Sequence, residues 1–124
     1  MTTQWTAKEM APYIERLQKR KAAEKQARME RCAKARETAG RIATLLKEKY
    51  GVKKIYLFGS TLNPDYFFER SDIDIAVSSC GDDVFFKMWS DADRVADNFE
   101  VDLVPLDACK EYIRKSVLER GVEL

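Results

Sequence analysis

Tyr56–Val77, YLFGSTLNPDYFFERSDIDIAV, is the stretch on which the reading of this chain turns. Its opening belongs to VKKIYLF, Val52 to Phe58, rich in β-branched and aromatic residues and therefore expected as a strand. Gly59-Ser60 follows, and then a loop whose Asn63-Pro64-Asp65 is a strong turn signal. Asp72 to Val77 is expected as a second strand, with two carboxylates set among apolar residues. Side chains alternate along a strand, so Asp72 and Asp74 face one way while Ile73, Ile75 and Val77 face the other and supply core.

Asp102 sits in a third alternating run, FEVDLV, Phe99 to Val104, which Pro105 is expected to end. If that strand neighbours the second in register, three carboxylates converge. Like charges so close oppose one another's ionisation, and a divalent cation removes the conflict. Hard oxygen ligands on a rigid strand suit Mg²⁺, which takes one or two carboxylates together with substrate phosphate oxygens. Gly59-Ser60 supplies the complementary half: a glycine at a strand end lets a phosphate approach the backbone, and a hydroxyl and the following amides donate to it. Each part alone is ordinary: a Gly-Ser pair is usually a turn, and Asp-x-Asp is common on strand edges. Their order and spacing together point to phosphoryl or nucleotidyl transfer.

The remaining chain supplies helices. Thr6-Ala-Lys-Glu9 forms a capping box, and Pro12, tolerated in a first turn, leaves open whether a short turn precedes it or a helix begins near it. Tyr13 to Tyr50 reads as helix, with Ala35, Ala39, Ile42, Ala43 and Leu46 at the spacing of a face that packs on the body. Lys19 to Arg31 is mostly charge and alanine, without the heptads of a coiled coil. Gly51 stops the helix. Ser78-Ser79-Cys80-Gly81 ends the second strand. Asp82 or Asp83 caps a helix carrying Val84, Phe85, Met88, Ala92, Val95 and Ala96 on one face. Asp107 is expected to cap a last helix, Ala108 to Glu119, with Gly121 just past it. The fold class is α/β (α+β): a short mixed sheet flanked by helices, with a long N-terminal helix.

With 124 residues, 45% hydrophobic and 35% charged, the chain suits one compact domain. No apolar run is long enough to span a membrane, and no secretory leader is read at the start. Cys32, Cys80 and Cys109 fit neither a zinc pattern nor a disulfide framework, and the absence of histidine excludes a His-based triad. A reducing, cytoplasmic setting is the simplest expectation. The net charge of +1 hides an asymmetry: residues 1–50 hold 13 Lys/Arg against 6 Asp/Glu, whereas residues 51–124 hold 9 against 15. The split suggests an acidic body carrying a basic arm, with a solvated, salt-bridged helix as the alternative.

Gly59-Ser60, then Asp72-Ile73-Asp74, then Asp102 in VDLV resembles the polymerase-beta-like nucleotidyltransferase superfamily. The short length and the ending LERGVEL are similar to its minimal, MNT-type branch. The resemblance covers about residues 38–124, leaving 1–37 as a charged N-terminal helical extension. It implies that Gly59 and Ser60 hold a nucleoside triphosphate such as ATP, and that Asp72 and Asp74 bind two Mg²⁺ ions. Asp102 shares a metal and helps activate the attacking hydroxyl. Members of this branch are often paired with a HEPN-domain ribonuclease toxin, and some act as its antitoxin by transferring AMP to a tyrosine. Where the family commonly continues Gly-Ser with Ala-Arg-Gly, this chain has Thr61-Leu62-Asn63-Pro64. Arg70, just before Ser71-Asp72, is the candidate replacement for the missing charge, and Arg70 and Ser71 join the nucleotide-binding set.

Three readings compete: a Mg²⁺-dependent nucleotidyltransferase acting on a protein partner, a non-catalytic partner-binding module, and a nucleic-acid binder. The first fits a chain too short for its own acceptor-binding domain. The second would use the long helix to hold a toxin or a second copy of the chain as a homodimer. The third would use Lys19, Arg20, Lys21, Lys25, Arg28, Arg31, Lys34 and Arg36. It is disfavoured by the interleaved Glu15, Glu24, Glu30 and Glu37 and by the lack of aromatics for base stacking there. A transferase acting on a small molecule such as a drug needs more chain to cradle its acceptor.

Overall fold

The computed structural model describes residues 4–78 and 82–124. Helix α1, Ala7–Tyr50, is followed by strand β1, Ile55–Phe58, and by two short 3₁₀ turns, Gly59–Leu62 and Pro64–Tyr66. Strand β2 is Ile73–Val77, α2 is Asp82–Ala96, β3 is Val101–Pro105, α3 is Glu111–Arg120, and β4 is Val122–Glu123. The sheet order is β3-β2-β1-β4. β1 runs antiparallel to β2 and β4, while β2 and β3, joined through α2, are parallel. This is the mixed sheet with flanking helices that the sequence pattern predicts.

Alternation along the strands sorts the chain into layers. Ile55 and Leu57 of β1, Ile73, Ile75 and Val77 of β2, and Val101 and Leu103 of β3 are buried on one face. Against them pack Cys32, Ala35, Ala39, Ile42, Ala43 and Leu46 of α1 and Met88, Ala92 and Ala96 of α2. The opposite face has a smaller core: Ala76, Leu106 and Val117, with Tyr56, Phe58, Val104 and Ile113 against it. There α3 covers only part of the sheet, so the residues of that face beyond the helix remain open. A buried carboxylate, Asp91, ties α1 to α2: it accepts from the Tyr50 hydroxyl at 2.5 Å and the Lys49 ammonium at 2.8 Å, with Arg94 at 3.3 Å. The hydrogen bond from Lys49, and then that from Tyr50, hold its carboxyl below the usual carboxylate range.

Several boundaries differ from the sequence expectation. α1 is one helix that begins at Ala7, and Pro12 lies inside it. Thr6 caps it, its hydroxyl accepting from the Glu9 amide at 3.1 Å and donating to the Glu9 carboxylate at 2.9 Å. Pro12 removes one ladder bond in a fully exposed segment, where water takes over the freed carbonyl. β1 starts at Ile55, because Val52 turns inward next to the left-handed Gly51 cap and Lys53 and Lys54 face solvent. β2 starts at Ile73, so Asp72 stands one residue ahead of the strand. β3 starts at Val101 and includes Pro105 as its last residue, tolerated because β3 is an edge strand.

Asp107 does not cap α3. The chain makes a further turn, closed by Ala108 N–H to the Pro105 carbonyl at 3.1 Å, and the helix starts at Glu111 behind Lys110. Gly121 does follow its end, with its amide on the Val117 carbonyl at 2.7 Å. β4 is an addition: after Gly121 the chain returns beside β1, pairing Tyr56 with Glu123 and Leu57 with Val122. β2 ends at Val77, just before the expected stop, whose residues 79–81 lie outside the described ones. α2 begins at Asp82, so Asp82 and Asp83, expected to cap it, are instead its first two residues.

Candidate active site

The end of β1 sets the position of the Gly-Ser turn. Gly59 has φ of +77°, a conformation that side-chain-bearing residues rarely adopt, and it is held directly against Asp74: a Cβ at residue 59 would collide with the Asp74 carboxylate. Phe58 and Asp74 are opposite partners across β1 and β2, which explains the closeness. Ser60 and Thr61 continue as a 3₁₀ turn, with the Thr61 hydroxyl donating back to the Phe58 carbonyl at 3.1 Å.

On the other side of β2, Asp74 pairs with Asp102 in the parallel register with β3. Both project on the α3 face, the opposite side from Ile73, Ile75 and Val77. Asp74 is half-buried and Asp102 exposed. The carboxyl of Asp74 is pushed up to about 6, by burial first and then by the charges of Asp102 and Asp72. The three acids of the sequence pattern thus stand within electrostatic reach of one another.

Asp72 is half-buried at the lip of a neighbouring cleft of about 540 Å³, lined also by Arg31, Glu69, Arg70, Ser71, Asn98 and Glu100. Thus Gly59, Ser60, Asp74 and Asp102 lie at the β1–β2–β3 edge of the site, while Arg70 and Ser71 lie in the cleft with Asp72 between the two groups. The Ser71 hydroxyl is already engaged within its own loop, where it accepts from the Phe68 amide at 2.8 Å.

Among the described residues, no group of three or more acidic, cysteine or histidine side chains forms a ready-made metal cage. The donor chemistry nevertheless fits a hard divalent cation. The acids offer only oxygen, they are borne mostly on rigid strands, and Asp74 is half-buried beside Asp102 with Asp72 in electrostatic reach.

The segment after Gly-Ser is braced by α1, which the sequence reading missed. The Thr61 carbonyl accepts from Arg36 Nε at 2.7 Å and from the buried Cys32 thiol at 3.3 Å. Arg31 donates to the Glu69 carbonyl at 2.6 Å and lies over the rings of Phe99, 4.9 Å from its centroid, and Phe67, 6.0 Å. Arg28 lies over Phe68 at 5.9 Å. The available signal was the spacing of Arg28, Arg31, Cys32, Ala35 and Arg36, which continues the packing face of the helix toward the loop.

Residues 40–124 match the family described as "Polymerase beta, Nucleotidyltransferase". A Methanocaldococcus jannaschii protein named as a protein adenylyltransferase is 41% identical over 78 residues, covering 60% of this chain and 79% of that protein. A crystal structure of a toxin-antitoxin with AMP-PNP superposes with a TM-score of 0.58 at 27% identity, over 68% of this chain and 70% of that one. A tri-AMPylated Shewanella oneidensis HEPN toxin in complex with its MNT antitoxin gives a TM-score of 0.54 at 25% identity, over 72% and 70%.

Proposed function

Because the chain belongs to the polymerase beta nucleotidyltransferase family, we propose that it transfers a nucleoside monophosphate, AMP from ATP, to a hydroxyl of a protein partner. The observation that carries the reading is the register that sets Asp74 beside Asp102 and against Gly59. A relative named as a protein adenylyltransferase and a neighbour solved with AMP-PNP support the choice of adenylyl group. The partner we propose is a HEPN-type toxin, with this chain as its antitoxin, supported by the MNT antitoxin neighbour. We take the cytoplasm as the setting.

In this reading Asp72, Asp74 and Asp102 would hold Mg²⁺, two ions, whose chemistry there would be to neutralise triphosphate charge and orient the attack. Gly59, lacking a Cβ, leaves room for the carboxylate and the phosphate side by side, and the Ser60 hydroxyl donates to a phosphate oxygen. Arg70 and Ser71 bind the nucleotide from the neighbouring cleft. Asp102, exposed on the edge strand, faces the acceptor hydroxyl and takes its proton. The acceptor oxygen bonds to the α-phosphorus, the α–β bridging bond breaks, and pyrophosphate leaves. Residues 38–124 form the catalytic domain and 1–37 the charged extension.

The test is transfer of label from α-labelled ATP to a HEPN-type protein with Mg²⁺ present. Asp72→Asn with Asp74→Asn is expected to abolish it; a double variant as active as the parent sinks the proposal. The second reading, a partner-binding module without catalysis, is favoured by Thr61-Leu62-Asn63-Pro64 standing where the family commonly has Ala-Arg-Gly. Tight, Mg²⁺-dependent ATP binding in a calorimeter argues against it.

A further inference from the structure

Helix α1 has two apolar segments on one face, and only one of them is covered. Cys32, Ala35, Ala39, Ile42, Ala43 and Leu46 pack on the sheet. Going back along the same face in steps of three and four, Arg28, Glu24 and Lys21 interrupt it, and then Leu17, Ile14, Tyr13 and Met10 resume it. These four are 44–52% exposed, and the whole of residues 4–27 lies in solvent.

The exposed segment is ordered as a unit. Trp5 folds back edge-on to Tyr13, ring centroids 6.0 Å apart, and Arg16 lies over the Tyr13 ring at 5.1 Å. Four anchors at i, i+3, i+4 and i+7 are the pattern of a helix that seats in an apolar groove. Around them Lys8, Arg16, Lys19 and Arg20 outnumber Glu9 and Glu15, so the segment has a basic balance.

The seat has a defined position. Arg31, Cys32 and Arg36 hold the loop after Gly-Ser, whereas Lys47 and Tyr50 lie at the other end of the body, on Leu124 and Asp91. The arm therefore projects past the end that carries the candidate active site. At 1.5 Å per residue, Ile14 stands about 30 Å beyond Ala35. An occupant of that face sits beside the body, on the same side of the helix.

The chain itself offers the complement. Its body has an acidic balance, and at the junction of α2 and β3 lies a cleft of about 420 Å³ lined by Trp89, Phe99 and Val101 and rimmed by Asp93 and Glu100. Asp97, also exposed, adds a third acid nearby. Phe86, 71% exposed, extends the apolar surface of α2. An apolar helix of basic balance matches an acid-rimmed aromatic cleft in both respects, whereas two arms laid against each other bring together the same net charge.

We propose that residues 5–17 are a docking seat for a second copy of this chain, received in the Trp89–Phe99 cleft of that copy. Each of two chains has one arm and one cleft, and a reciprocal exchange of arms gives a symmetric dimer with two equal contacts. The inference does not depend on the catalytic reading, since it uses none of the residues assigned to transfer.

Sedimentation equilibrium of the full chain at low salt tests it. The expected mass is twice 14.3 kDa, with the dimer weakening as salt screens the charges. Ile14→Lys with Leu17→Lys is expected to raise the dissociation constant tenfold or more, on the order of a hot-spot loss, with an unchanged far-ultraviolet circular dichroism spectrum because both residues lie outside the core. Asp93→Lys with Glu100→Lys should weaken the dimer as well, and adding Arg16→Glu and Arg20→Glu to that pair should restore it. A chain that stays monomeric at low salt overturns the proposal. So does a dimer untouched by the arm substitutions, or one that needs the arm but ignores Asp93 and Glu100, which would mean arm-on-arm pairing.

Discussion

The two faces of β2 differ in what they are built to tolerate. Ile73, Ile75 and Val77 are fully buried between the sheet and two helices, whereas Asp74, one residue away from two of them, looks out beside Asp102 on the face that α3 covers only in part. One five-residue strand thus carries core on its odd positions and a carboxylate of the candidate site on an even one. The period of two keeps these demands apart: a change on one face leaves the other chemically intact, although the backbone is shared.

The largest expected effect separates the faces most cleanly. Asp72→Asn with Asp74→Asn should lower adenylyl transfer roughly 10³-fold or more, in the range of losing a major electrostatic element. The same variant should melt no lower than the parent, since it removes mutual repulsion. Transfer assays and calorimetric scans on one preparation check both halves. Ile75→Ala should do the reverse, costing about 2–5 kcal/mol of stability in urea unfolding while the folded fraction keeps its ATP affinity.

Gly59→Ala breaks the separation, because Gly59 touches the chemical face from within the backbone. It should cost about 1–3 kcal/mol through left-handed strain and also displace the Asp74 carboxylate, so stability and ATP binding should fall together. A variant that loses neither would show that the close approach has no consequence.

The smallest effect is pH dependence without metal, measured as melting temperature in EDTA. Asp74 is raised to about 6 from an ordinary 3.8, so the folded state holds its proton more tightly than the unfolded one. Stability should therefore be highest below about pH 4 as far as Asp74 is concerned, and decline as pH rises through about 6. Asp74→Asn should flatten that slope. Asp91 works in the opposite sense: its depressed pKa adds stability above its ordinary value that is lost as pH falls through the depressed one. Asp91→Asn should remove the acid-side loss and leave the slope near 6 in place.

What was legible in the sequence follows from this alternation. Ile73, Ile75 and Val77 declared a buried face, and Asp74 and Asp102 declared the other, because strand periodicity is a local property. The Gly51 stop and the Thr6 cap were legible for the same reason. Long-range outcomes were not. β4 has only two paired residues and exists because Gly121 returns the chain to β1. Pro105 stays in β3 because β3 is an edge, a fact of sheet order. Pro12 inside α1 depends on solvent around the arm. The arginines that hold the loop after Gly-Ser looked like a solvated basic face until the helix was placed beside residues 61–69. Only tertiary placement turns Arg31 and Arg36 from surface charge into braces.

The thiol of Cys32 is 1% exposed and lies beneath that loop, donating to the Thr61 carbonyl that also receives Arg36. It can be alkylated only when helix and loop part, so the rate at which a small thiol reagent labels it is a clock for that local opening. Cys109, half-buried near α3, provides an internal standard on the far side of the sheet. A nucleotide that grips the Gly-Ser turn should slow the first thiol and leave the second alone. With Cys80 replaced by Ser, the chain's two remaining thiols become a pair of chemical timers for the motion of the site.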